Sequence, residues 1–150
     1  MERTIKTVII EDELLARNLL KSYLADNEQI EILQECENGF EGLKAINDLK
    51  PDLVFLDVQM PKLTGFEMLE LLDYKPEIIF TTAYNQFAIK AFEQNAVDYL
   101  LKPFPKERLT LAVNRAIERI DGNQTAKVPI DKLTELPESE IIDRVVVKDK

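Results

Sequence analysis

Leu53-Val54-Phe55-Leu56-Asp57 decides the fold. Four consecutive apolar residues leave no polar face. A strand of this kind must be covered on both sides, as in a parallel sheet flanked by helices. Working outward, Ile78-Ile79-Phe80-Thr81-Thr82 has the same buried character, and so does Thr7-Val8-Ile9-Ile10. Ile30 to Cys36 and Val97 to Leu101 read as two further strands.

Helical spacing fills the intervals. Leu15, Leu19 and Tyr23 recur on one stripe up to about Asp26, after the helix-start signal Glu11-Asp12-Glu13. Asn38 is placed to cap a helix in which Phe40, Leu43, Ile46 and Leu49 share a face, ended by Lys50-Pro51. Phe66 to Leu72 and Gln86 to Gln94 read as helices, the latter with Phe87, Ala88 and Ala91 on its stripe. In the last helix Leu109, Ala112, Val113, Ala116, Ile117 and Ile120 keep strict periodicity, and Asp121-Gly122 closes it. Five strand–helix alternations predict an α/β fold: a doubly wound, five-stranded parallel sheet with helices on both faces. Residues 1–121 form that domain. Residues 122–143, polar and broken by Pro129 and Pro137, read as a linker. Residues 144–150, with Arg144-Val145-Val146-Val147, read as the first strand of a second, truncated domain.

Composition narrows the function. The chain has 150 residues, a net charge of −9 and 45% hydrophobic residues, as expected of a globular fold. The acidic excess argues against nucleic-acid binding by this segment. There is no histidine, which excludes Ser-His-Asp, Cys-His and imidazole-metal chemistry. None of Gly39, Gly42, Gly65 and Gly122 sits in a phosphate-cradling loop. Cys36 stands alone, so no internal disulfide forms, and a reducing cytoplasm is the expected location. No membrane-spanning or secretory stretch is expected.

Ligands of open α/β sheets bind at the carboxyl ends of the strands. The residues there are Glu11 and Asp12, Asp57, Thr82 and Lys102. Taken singly, each has a plain reading: helix-dipole compensation for the acidic run, a turn residue for Asp57, a strand-end cap for Thr82, a solvated lysine for Lys102. Independent structural roles do not explain why all of them fall on one edge. Clustered carboxylates call for a hard cation, and Mg²⁺ prefers oxygen ligands at about 2.0–2.1 Å. Asp12 and Asp57 are the expected direct ligands, with Glu11 acting through water. Asp57 is also a candidate nucleophile toward phosphorus, with Lys102 supplying positive charge and Thr82 a hydrogen bond to the phosphoryl oxygens. Tyr99 is open between a core aromatic and a switch residue. Phe87, Phe92 and Cys36 read as packing residues.

These segments, Val8 to Glu13, Pro51 to Pro61, Thr81 to Ala83 and Asp98 to Phe104, resemble the receiver domain of two-component response regulators over about Lys6 to Ile120. The resemblance implies the flavodoxin-like strand order 2-1-3-4-5. It implies Asp57 as phosphoacceptor from a partner sensor histidine kinase. It also implies Mg²⁺ held by Asp12, Asp57 and the Gln59 carbonyl with Glu11 in the outer sphere, Tyr99 as the aromatic that follows Thr82, and a cis bond between Lys102 and Pro103. Phe80 to Tyr84 and Asn95 to Phe104 are further similar to LytTR-type (LytR/AlgR-type) transcriptional regulators. In these a receiver precedes a β-rich DNA-binding domain, and Arg144 to Asp149 resembles its start. DNA would then be met only through a domain missing from this chain, and phosphorylation would favour a homodimer.

Three rival readings meet the same residues. An Asp-nucleophile phosphatase needs a second Asp soon after Asp57, and Val58-Gln59-Met60-Pro61 supplies none. A phosphorylation-silent scaffold predicts loss of the acidic pair or Lys102, and both are retained. A DNA-binding module conflicts with the charge. The expectation is a phosphoacceptor switch, not an enzyme acting on separate substrates.

Overall fold

A computed structural model of the chain describes residues 4–122. The strands are β1 (Ile5–Ile10), β2 (Ile30–Cys36), β3 (Leu53–Asp57), β4 (Glu77–Thr82) and β5 (Asp98–Leu101). All neighbours pair in parallel, in the order β2-β1-β3-β4-β5. The helices are α1 (Leu14–Leu24), α2 (Gly39–Leu49), α3 (Gly65–Glu70), α4 (Ala88–Glu93) and α5 (Lys106–Ile120).

Side-chain alternation along buried strands divides the core in two. Leu53 and Phe55 of β3, with Ile79 of β4, face Leu20 and Leu24 of α1 and Leu109, Ala112, Val113 and Ala116 of α5. Val54 and Leu56, with Ile78 and Phe80, face α2, α3 and α4. Every residue of β3 is buried, as its unbroken apolar run requires.

Four helices differ from the sequence reading. In α1 the buried stripe is Arg17, Leu20 and Leu24, whereas Leu15 is 77% exposed and Leu19 44%. The inward face is displaced because Arg17 finds polar partners in the Glu11 carbonyl, Glu35 and Glu37, described below. In α2, Gly39, Gly42, Ala45 and Ile46 face inward, while Phe40 and Leu49 are exposed. The glycines allow close approach: a Cβ on Gly42 would lie 2.5 Å from the Ile10 Cδ1. The side chain of Asn38 caps this helix, and Lys50 ends it in a left-handed conformation. Helix α3 starts one residue early, because Thr64 and Glu67 form a reciprocal capping box. The expected helix over 86–94 opens with a single 3-10 turn, Asn85–Phe87, and becomes α-helical only from Ala88. Its start has no side-chain cap to satisfy the first backbone donors. Helix α5 buries the expected face, and Gly122 follows it at φ +94. Of the expected linker, 122–143, only Gly122 is described; its remainder and the expected strand at 144–150 lie outside the described residues.

Candidate functional site

Parallel pairing puts the carboxyl ends of β1, β3, β4 and β5 on one edge. Glu11 follows β1, and its N–H donates to the Cys36 carbonyl at the end of β2 at 3.0 Å. Asp57 ends β3 and pairs in register with Thr81. Lys102 follows β5, with its N–H donating to the Thr82 carbonyl at 2.7 Å. Carboxylate oxygens of Glu11, Asp12 and Asp57 all lie within 4.8 Å of one another. The Lys102 Nζ is 2.7 Å from Glu11 Oε1 and 3.4 Å from Asp57 Oδ2. The lysine therefore rests mainly on Glu11 in this state, with Asp57 as its second partner.

Glu11 and Asp57 are buried, and Asp12 is exposed. Both Glu11 oxygens are engaged, one by Lys102 and the other by the Glu13 N–H at 3.2 Å. Asp57 Oδ1 accepts from the Gln59 N–H at 3.1 Å. Burial pushes the Asp57 carboxyl up to about 8. The charge of Glu11 and a hydrogen bond with it act in the same direction, and Lys102 and the Gln59 N–H act against it. Burial alone would depress Lys102. The hydrogen bond to Glu11 and the charges of Asp57 and Glu11 outweigh that and raise it, so it stays an ammonium. One ammonium does not balance three carboxylates. The set fits a hard divalent cation, which takes oxygen donors and would offset the remaining charge.

A second group adjoins the first. Thr82 is fully buried, and its Oγ1 accepts from the Tyr84 N–H at 3.2 Å. Tyr99 is buried and its hydroxyl donates to the Tyr84 carbonyl. Tyr84 thus joins Thr82 to Tyr99 through its two backbone groups. No side-chain pattern points to this link, because it uses no side chain of Tyr84. The Lys102–Pro103 bond is cis.

Residues 7–114 match the family model of the response regulator receiver domain. The chain belongs to that family. The receiver is 48% identical over 127 residues to the transcriptional regulatory protein BtsR of Escherichia coli K12, covering 83% of this chain and 53% of that protein. It is 44% identical over 135 residues to a response regulatory protein of Vibrio cholerae, covering 89% of this chain and 57% of the relative. The chain spans about half the length of these curated relatives. Among solved structures, the response regulatory domain of mrkE from Klebsiella pneumoniae superposes with a TM-score of 0.72 at 32% identity, over 78% of this chain and 98% of that one. The AraT receiver domain of Geobacillus stearothermophilus gives 0.73 at 28% identity, over 81% and 98%.

The receiver's acidic turn has a support that sequence reasoning missed: the buried Arg17 of α1, whose Nη1 donates to the Glu11 carbonyl at 2.7 Å. The α3 side has a support of another kind. A Cβ on Gly65 would lie 2.6 Å from the Asp57 carbonyl oxygen, backbone against which nothing flexible gives way. The Gly65 N–H also donates to the Val58 carbonyl at 2.9 Å. Gly65→Ala is therefore expected to lower stability by about 1–3 kcal/mol and to displace Asp57. Urea denaturation measures the first effect, and the amide shifts of residues 57–60 the second. A variant with native stability and native shifts there would refute the expectation. Beside Lys102, Leu15, Leu19, Leu20 and Phe104 line an apolar groove of about 220 Å³. Among the described residues no helix is long and apolar enough to cross a membrane.

Proposed function

We propose that this receiver is a phosphoacceptor switch: Asp57 takes a phosphoryl group from a partner sensor histidine kinase in a Mg²⁺-dependent reaction. One observation carries the reading, the convergence of Glu11, Asp12 and Asp57 carboxylates with the Lys102 ammonium at one sheet edge. An Asp57 oxygen attacks phosphorus, the P–N bond of the phosphohistidine breaks, and its electron pair returns to the imidazole nitrogen. The chain has no histidine, so that donor lies outside this sequence. Mg²⁺, held by Asp12, Asp57 and the Gln59 carbonyl, would offset charge on the transferring group. Glu11 supports it from the outer sphere, since both its oxygens are already engaged. Lys102, whose ammonium has three donors, keeps Glu11 and adds a hydrogen bond to a phosphoryl oxygen, stabilising the spread negative charge, where positioning and electrostatics do most of the catalysis.

Thr82 is the reader. When its hydroxyl turns to the phosphoryl group, the Tyr84 N–H loses its acceptor. The Tyr84 carbonyl that holds Tyr99 then moves with it. The displaced surface of α4, β5 and α5 favours a homodimer. A ligand shifts such an equilibrium only by its differential affinity for the two states. In the intact protein the output is transcriptional, in keeping with the transcriptional regulatory protein BtsR. The wording of the β4 and β5 segments favours the LytTR type, with a DNA-binding domain beyond this chain and a cytoplasmic location. The chain turns over no separate substrate.

The test is intact mass after incubation with acetyl phosphate. With Mg²⁺ the chain gains one phosphoryl group. With the metal stripped by EDTA, labelling falls by about 100-fold or more, the order of a lost electrostatic contributor. No gain with Mg²⁺, under conditions that label another receiver, would favour a phosphorylation-silent scaffold.

A further inference from the structure

A buried arginine on an amphipathic helix needs a reason, because its charge is costly to desolvate unless paired. Arg17 is 7% exposed. Its Nη1 donates to the backbone carbonyl of Glu11 at 2.7 Å, not to a carboxylate. Its Nε lies 3.5 Å from Glu35 of β2, and its Nη2 lies 3.9 Å from Glu37, just beyond β2. A surface ion pair between α1 and β2 does not need it, since Lys21 already meets Glu35 at 2.8 Å.

Arg17 changes what is fixed about Glu11. The Glu11 N–H is held by the Cys36 carbonyl, and the Glu11 carbonyl by Arg17. Both peptide planes around Glu11 are therefore pinned, one by the end of β2 and the other by α1. The second of these is the Glu11–Asp12 peptide, whose plane sets where the Asp12 side chain leaves the backbone. Glu35, with the exposed Glu37 at the edge of reach, supplies the counter-charge, so the guanidinium is turned toward β2 and not toward the Asp12 and Asp57 carboxylates.

We infer that Arg17 is a positioning residue for the cation site: clamped by Glu35 and Glu37, it fixes the Glu11–Asp12 peptide so that the acidic pair is set for a divalent metal. The inference rests on the Mg²⁺ reading above. Supports of this kind around a metal site typically change affinity about 10–100-fold when removed.

The test uses the full chain, titrated with MgCl₂ by calorimetry, as native protein and as Arg17→Met, Arg17→Lys and Glu35→Gln. Arg17→Met keeps the apolar stem and removes the donor. Its Mg²⁺ affinity falls about tenfold or more. Arg17→Lys keeps one donor, and its loss is smaller. Glu35→Gln leaves the donor in place but loosens its clamp, and weakens Mg²⁺ by about two- to fivefold, below that range. With acetyl phosphate, the Mg²⁺ concentration giving half-maximal labelling of Arg17→Met rises by the same factor as the affinity falls. The loss lies in affinity for the cation, not in maximal rate. Native Mg²⁺ affinity in Arg17→Met overturns the inference. So does a loss of maximal rate that saturating Mg²⁺ does not restore, because that marks general damage. If Arg17→Met does not fold, Glu35→Gln decides: unchanged Mg²⁺ affinity overturns the inference. Failure of the native chain to bind Mg²⁺ overturns the metal reading itself, and so is told apart from failure of Arg17 alone.

Discussion

Asp57→Asn is expected to take up no phosphoryl group from acetyl phosphate at any Mg²⁺ concentration, and to be more stable than the native chain once metal is stripped. The first effect follows from chemistry, since an amide oxygen is no substitute for a carboxylate nucleophile. The second follows from burial. The folded state holds the Asp57 carboxyl at about 8, far above its ordinary 3.8, through desolvation and the nearby Glu11. Between those values the folded chain binds a proton that the unfolded chain has released. Stability without metal therefore falls as pH rises from about 4 to 8, and Asp57 works against the fold most fully above that window. Asparagine removes this proton-linked slope and the repulsion between carboxylates. The expected gain near pH 8 is roughly 1–3 kcal/mol, read from urea denaturation in EDTA at pH 5 and pH 8. Saturating Mg²⁺ should shrink or reverse the advantage, because the cation stabilises only the native carboxylate cluster. A native chain that becomes more stable from pH 5 to pH 8 in EDTA would contradict this account of Asp57.

The fold was legible because the strands of a parallel sheet carry their signal locally. Leu53 to Leu56 read as doubly covered, and the structure buries every one of them. The converging edge was legible for the same reason: once strand ends are placed, Glu11, Asp12, Asp57, Thr82 and Lys102 share an edge by topology alone. The helices were harder, because their inward faces are chosen by partners distant in sequence. A local window prefers Leu15 and Leu19 to Arg17. The structure turns Arg17 inward because Glu11, Glu35 and Glu37 satisfy it from other elements. In α2 the reading favoured Phe40, yet small Gly42 faces Ile10 of β1 and Gly39 faces Leu63, since only glycine lets the helix come this close. The link from Thr82 through Tyr84 to Tyr99 runs through backbone groups of Tyr84, which no pattern of side chains reveals.

Asp98→Ala is expected to cost about 3–5 kcal/mol, the price of breaking a buried ion pair from one side. Asp98 begins β5 and is 4% exposed. Its carboxylate accepts from Arg108 at 2.9 and 2.7 Å, from Arg115, and from the Tyr99 N–H at 2.8 Å. Arg108 and Arg115 both belong to α5, so one carboxylate fastens that helix to the strand carrying Tyr99. Truncation leaves the Arg115 guanidinium buried without this counter-charge. A domain of this size has a total stability of about 5–15 kcal/mol, so the loss takes a large share of it. Urea denaturation of the native chain, Asp98→Ala, Arg115→Met and the double variant measures the coupling. The double variant should recover part of the loss, because it removes the stranded charge along with its partner. A loss below about 1 kcal/mol in Asp98→Ala, the range of an exposed pair, would show that the guanidiniums reach water instead. In that case α5 would be held mainly by Leu109, Ala112, Val113 and Ala116. The fastening also bears on the switch. If the proposed switch operates through Tyr99, Asp98→Asn, which keeps the acceptor and drops the charge, should loosen self-association of the phosphorylated chain, read by analytical ultracentrifugation, more than it alters labelling of Asp57.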